Sequence, residues 1–155
     1  MITIDLLKYY PETIPRCAEI WHEVLGKIWV PEIPVERVIQ RFGEHLNGNV
    51  LPMTVVALDA DKPVGMCSLR ENDGIRPDIT PWLGSLVVDP EYQKKGIGKL
   101  LIEATKDKAR ELGFKQLYLF AFDATLTDYY SRFGWSVIGM DEFKDHPVTV
   151  MEVIL

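Results

Sequence analysis

Between Leu86 and Leu101 the chain runs Leu-Val-Val-Asp-Pro-Glu-Tyr-Gln-Lys-Lys-Gly-Ile-Gly-Lys-Leu-Leu. A β-branched run stops at Asp89-Pro90, and a helical pattern begins at Ile97 after a short basic, glycine-spaced turn. A strand feeding a helix start so closely aims unpaired backbone N–H groups and the positive end of the helix dipole at one point, which suits a phosphate or pyrophosphate. Lys94, Lys95 and Lys99 add charge, and Gly96 and Gly98 let a ligand approach the backbone. Two glycine-loop classes fail on spacing. A P-loop would need a hydroxyl residue where Leu100 stands and a glycine at Gln93; a dinucleotide fingerprint would need a third glycine at Leu101.

The elements that must position this stretch follow from periodicity. Residues 2–8 alternate weakly as a first strand. Pro11 opens a helix with Ile14, Cys17, Ala18, Trp21 and Leu25 on one face, stopped at Gly26; Val35, Val38, Ile39, Phe42 and Leu46 form a second, ending near Asn47-Gly48. Thr54–Leu58 and Val64–Leu69 form an antiparallel hairpin, and residues 71–81 a loop. Trp82–Val88 is the next strand and Ile97–Leu112 a crossover helix, closed by Gly113. That helix makes strand 116–122 parallel to strand 82–88. A short helix over 124–133 and strands 134–140 and 148–155 complete the chain.

The 155 residues, 47% apolar with mean hydropathy near zero, predict one soluble domain over 1–155. There is no run of about 18 apolar residues and no signal-peptide pattern, so no membrane association and a cytoplasmic location are expected. Cys17 and Cys67 have no metal-ligand spacing and are expected as buried free thiols; no metal is expected. A net charge of −6 argues against a nucleic-acid surface and is compatible with a cationic substrate.

The pattern Gln93-x-x-Gly96-x-Gly98 after a Val-Asp-Pro strand end resembles the acyl-CoA-binding motif of the GNAT N-acetyltransferase superfamily. Tyr130-Ser-Arg-Phe-Gly134-Trp135 is similar to the family's second landmark, a Tyr four residues before Gly-aromatic. The order of elements along most of the chain is also the family's. Pro81-Trp82-Leu83-Gly84 and Phe133-Gly134-Trp135 are similar to a subgroup acting on small amines or peptide N-termini. The resemblance implies an α/β (α+β) fold: a mixed, mostly antiparallel sheet of six to seven strands, two parallel strands splayed at its centre, and about four flanking helices.

It also implies roles. Acetyl-CoA, the acyl donor, would lie between strands 82–88 and 116–122. Leu86 and Val88 would pair with the pantetheine, an N–H near Leu86 or Val87 would hold the oxyanion, and main chain from Gln93 through Lys94, Lys95, Gly96, Ile97, Gly98 and Lys99 would hold the pyrophosphate. Tyr130 would protonate the departing thiolate. An alkyl amine with a pKa of about 10.4 must lose a proton before it attacks. Strand 82–88 has no carboxylate to take it, so Glu71 is the first candidate base and Asp123 the next, although an Asp there also suits a helix N-cap. Asp78, Glu32 and His146 are further possibilities. Trp29, Glu32, Asp78 and Trp82 are candidates for acceptor binding, and with Glu71, Asp73 and Trp135 would give an apolar, acidic cleft for a cationic amine. The expected activity is transfer of an acetyl group to a small-molecule amine or a peptide N-terminus by direct attack in a ternary complex, by a monomer or homodimer. A non-catalytic acyl-CoA sensor is the alternative, favoured by the missing strand carboxylate.

Overall fold

In the structure, a computed structural model describing residues 1–155, the runs flanking Ala60-Asp61 pair as an antiparallel hairpin of β2 (Met53–Asp59) and β3 (Lys62–Arg70). The sheet grows from it in both directions. β1 (Ile2–Leu6) adds to β2 and β4 (Trp82–Val88) to β3, both antiparallel. β5 (Gln116–Ala121) lies parallel to β4, as the crossover helix requires, and β7 (His146–Ile154) and β6 (Ser136–Phe143) close the far side antiparallel. The seven strands stand in the order β1-β2-β3-β4-β5-β7-β6.

Helices cover both faces, which is why β2 and β3 read as nearly unbroken apolar runs. On one face α3 (Ile97–Glu111) packs Leu101, Ile102 and Ala109 onto Val55, Ala57, Cys67 and Leu69. On the other, α1 (Ile14–Trp21) and α2 (Val35–Gly43) pack Cys17, Ile20, Val38 and Phe42 onto Val56, Leu58 and Met66. Fully buried side chains such as Leu101 and Ile102 each contribute about 1.5–3 kcal/mol. The fourth helix, α4 (Ala124–Ser131), follows β5.

Two departures from regular pairing shape the sheet's centre. β4 and β5 are in register only at Trp82 and Tyr118, where the Tyr118 N–H donates to the Pro81 carbonyl at 3.1 Å; beyond that point they separate. On the other side of β4, Val87 faces Met66 and Gly84 faces Ser68, so Ser85 and Leu86 together oppose the single residue Cys67. This is a β-bulge, and Ser85 takes the left-handed conformation with φ 51°.

Some expected boundaries move. The first strand ends at Leu6, and the buried Leu7 begins a 3-10 turn. Gly26 does not stop the first helix: α1 continues through a π turn at His22–Gly26 into Lys27–Trp29. A Cβ on Gly26 would lie 2.6 Å from the Trp21 ring, so the glycine serves close packing inside the helix. The second helix ends at Gly43, five residues earlier than Gly48, because His45 turns inward and its Nδ1 meets the Thr54 hydroxyl at 2.9 Å. The last hairpin is longer than expected, with a two-residue turn at Lys144-Asp145. Both cysteines are buried free thiols.

Candidate active site

Because β4 and β5 part, their facing edges border two cavities that meet end to end. The first is a groove along Leu86–Val88, closed by the start of α3 and by Thr125, Leu126, Tyr129 and Tyr130 of α4. The second is an inner cleft between Leu83–Leu86 of β4 and Leu119 and Phe120 of β5, walled by Trp21, Leu25, Arg70 and Asp73. Leu86, Leu126 and Tyr130 line both, so the two cavities adjoin at these three side chains.

The groove is built by the glycine-spaced stretch. Asp89 ends β4 by accepting the Glu91 N–H at 3.0 Å, and Arg16 pairs with its other oxygen at 3.0 Å. Lys94 and Gly96 take φ 63° and 82°, which turns the chain into α3 without a side-chain cap. The first N–H groups of α3 are therefore left for an anion. A Cβ on Gly98 would stand 2.5 Å from the Tyr129 hydroxyl, so a side chain there would press the end of the Tyr129 ring aside. Gln93, Lys94, Gly96, Ile97, Gly98 and Lys99 all border the groove. Lys95 does not: its ammonium lies 5.2 Å over the Tyr92 ring. The Gln93 side chain donates to the Val88 carbonyl at 3.0 Å, occupying one of the strand groups expected to face the pantetheine. Arg132, unmarked in the sequence reading, also borders the groove, 5.6 Å over the Tyr129 ring.

Tyr130 is buried against Trp135, with ring centroids 5.9 Å apart. Burial pushes its phenol well above the ordinary tyrosine range, and Cys67 and Tyr129 push the same way, so it stays protonated. Its hydroxyl is a donor at the junction of the two cavities.

The bulge is held from the inner cleft. The Ser85 hydroxyl accepts from Arg70 Nη2 at 2.6 Å and from Trp21 Nε1 at 3.1 Å. Arg70 Nη1 pairs with Asp73 at 2.7 Å, and both side chains are nearly buried. Gly84 makes room for this pair: a Cβ there would lie 2.7 Å from Arg70 Nη1 and 3.1 Å from Asp73 Oδ2. Burial raises the Asp73 carboxyl above the usual carboxylate range, with Arg70 pulling in the opposite direction. His45 is lowered to about 3 by burial and by the Arg70 and Arg41 charges.

Several residues expected at the acceptor side lie elsewhere. Glu71 is exposed and borders only a polar mouth outside the cleft; the carboxylate on the cleft wall is Asp73, two positions on. Asp123 caps α4, accepting the Leu126 N–H at 3.0 Å. Trp82 is fully buried, its indole N–H donating to Ile79 and its ring among Tyr118 and Phe120. Trp29 stacks on Phe122 at 4.7 Å and 7°, and its carbonyl accepts from His146 Nε2 at 2.7 Å. Neither Trp29 nor Glu32 nor Asp78 lines the cleft. The expected acidic lining is not what the fold assembles, because Arg41, Arg70 and Lys144 border the cleft beside the single carboxylate. Asp73 stands on the cleft wall as expected of the cleft, although Glu71 was expected as the base; Arg70, Ser85 and Arg41 escaped the sequence reading. The one available signal was Arg70, a cation ending an otherwise apolar strand.

The structure thus sets a sheet opened between two parallel strands beside a glycine-spaced helix start and a buried tyrosine. The Acetyltransferase (GNAT) family model matches residues 16–135, and the chain belongs to that family. It is 33% identical over 75 residues to the spermine/spermidine N(1)-acetyltransferase of Bacillus subtilis (strain 168), a match covering 46% of this chain and 49% of that protein. The chain thus matches about half the length of this curated relative. Among solved structures, it resembles an aminoglycoside 6'-N-acetyltransferase complexed with coenzyme A (TM-score 0.77, 18% identity, 98% and 96% of the two chains). It also resembles the PaiA N-acetyltransferase of Thermoplasma acidophilum in complex with coenzyme A (TM-score 0.73, 21% identity, 100% and 99%). No helix is long and apolar enough to cross a membrane.

Proposed function

We propose that the protein transfers an acetyl group from acetyl-CoA to a primary amine by direct attack in a ternary complex. The observation that carries this reading is the meeting of groove and cleft at Leu86, Leu126 and Tyr130. The α3 N–H groups with Lys94 and Lys99 hold the pyrophosphate, and the edge of β4 from Leu86 to Val88, whose last carbonyl Gln93 must release or keep, pairs with the pantetheine as an added strand. The bulge turns an N–H of Leu86 or Val87 toward the thioester carbonyl, where it stabilises the developing oxyanion. Asp73, rather than Glu71, accepts the proton that the amine must lose. Tyr130, kept protonated by burial, gives its proton to the departing thiolate. The relationship to a spermine/spermidine acetyltransferase supports an amine as the acceptor class.

Release of the CoA thiol against small amines, polyamines, aminoglycosides and peptide N-termini tests the proposal. Tyr130→Phe is expected to lower kcat by about 10²–10⁴-fold with CoA affinity unchanged. Silence of the wild-type protein across the whole panel would overturn it.

A further inference from the structure

Opposite the glycine groove, the inner cleft carries charge that the acetyl transfer just described does not use. Arg41 and Arg70 border both the cleft and its polar mouth. Arg41, half-buried, takes part in none of the eight ion pairs and none of the side-chain hydrogen bonds. Arg70 spends its two terminal nitrogens on Asp73 and Ser85, while its Nε is buried without an acceptor. Lys144, an exposed residue shared with the mouth, adds a third cation, and the only carboxylate on the cleft wall, Asp73, already faces Arg70. Glu71 and Glu142 border the outer mouth alone. Burial and repulsion from Arg70 and Arg37 pull the Arg41 guanidinium below its ordinary range, against the smaller opposite pull of Asp73 and Glu44. A half-buried guanidinium held beside a second one is unfavourable until an anion shares the site, and its planar donors suit a carboxylate or phosphate.

We infer that the acceptor is an amine that also carries an anionic group, a carboxylate or a phosphate, and that Arg41 and Arg70 hold this group inside the cleft. The inference rests on the amine-acetylating reading and narrows its substrate. Arg70 touches Ser85, the residue before Leu86 at the junction of the cavities, so anion and reacting amine must be close and the acceptor compact. Its ammonium faces Asp73. Within the cleft a polyamine would meet three cations and that single carboxylate.

Calorimetry on the full chain saturated with CoA tests this without requiring turnover. The probes are β-alanine, 4-aminobutyrate, glutamate and 2-aminoethyl phosphate, set against butylamine, ethanolamine and spermidine. At least one anionic amine should bind about tenfold or more tightly than its neutral counterpart, the margin of one charge-assisted pair. Arg41→Gln should remove that margin and Arg41→Lys keep part of it, with CoA affinity within about twofold of wild type as the check on folding. The winning anionic arm distinguishes carboxylate from phosphate. The inference is overturned if spermidine or the neutral amines bind as tightly as the anionic ones, if no anionic amine binds at millimolar concentration, or if Arg41→Gln leaves the preference intact. Failure of the acetyltransferase reading looks different: no CoA is released with any amine, whatever the binding preference.

Discussion

Arg70→Met separates the ionic core of the cleft from the apolar packing around it. Methionine keeps most of the stem and removes the guanidinium that binds Asp73 at 2.7 Å and Ser85 at 2.6 Å. Asp73 is then left as an unpaired carboxylate with 13% of its side chain exposed. Breaking a buried pair by removing one partner costs about 3–5 kcal/mol. Here the loss has a ceiling, because Asp73 can take up a proton instead of remaining charged. Protonating an ordinary carboxyl costs about 4 kcal/mol at pH 7 and about 1.5 kcal/mol at pH 5. The lost Ser85 hydrogen bond adds about 1.5–3 kcal/mol that does not depend on pH. Urea unfolding should therefore give a destabilisation about 2 kcal/mol smaller at pH 5 than at pH 7. Arg70→Met/Asp73→Asn should recover most of the pH-dependent part at pH 7. A loss below about 1 kcal/mol that is the same at both pH values, with no recovery in the double variant, would refute the placement of this pair in a water-poor wall.

Other perturbations probe the groove and the second face of the sheet. Gly98→Ala replaces a poor helix former near the start of α3, so stability should hold or rise by up to about 1 kcal/mol while its methyl crowds Tyr129 and the anion seat. CoA affinity by calorimetry should fall about tenfold, and adding Tyr129→Phe, which deletes the hydroxyl 2.5 Å away, should restore part of it. His45 is held neutral in the folded protein with its pKa lowered to about 3, whereas an unfolded His titrates near 6.5. Its contribution is complete above pH 6.5 and is lost as pH falls toward 3, at about 1.4 kcal/mol per pH unit. His45→Gln should flatten the fall in unfolding free energy between pH 7 and pH 5, and an unchanged slope would exclude His45 as its source.

The groove at the start of α3 was legible because it is written in backbone conformation. Gly96 with positive φ is a local requirement, and Gly98 beside Tyr129 a close approach, and glycine spacing records both; the positive φ of Lys94 carries no such signal. The central strands and the crossover helix were legible because their burial is one-dimensional, a run or a period. Boundaries failed where a long-range contact overrode a local signal. Gly26 reads as a helix stop, yet the Trp21 ring packs on it so that the indole can reach Ser85, 64 positions away in the chain. His45 ends α2 through Thr54 on the neighbouring strand. The turn between β6 and β7 places Lys144 and Asp145 at φ 47° and 69°, a geometry usually signalled by Asn-Gly and here carried by residues that give no such signal.

The acceptor half is different in kind, since its chemistry depends on which charges the fold sets side by side. Arg41 comes from α2, Arg70 from the end of β3, Asp73 from the following loop and Lys144 from the last turn. No spacing rule relates them. Net charge misleads here, because a chain at −6 suggests a surface for cations while its cleft concentrates three cations around one carboxylate. The acidic excess lies on side chains such as Glu32, Glu71 and Asp78, which are exposed and screened by solvent. Arg41 and Arg70 are partly buried and so less screened, and under the proposal they would select among amines although they are a small fraction of the total charge. Acceptor selectivity should therefore depend little on surface charge reversal and strongly on Arg41.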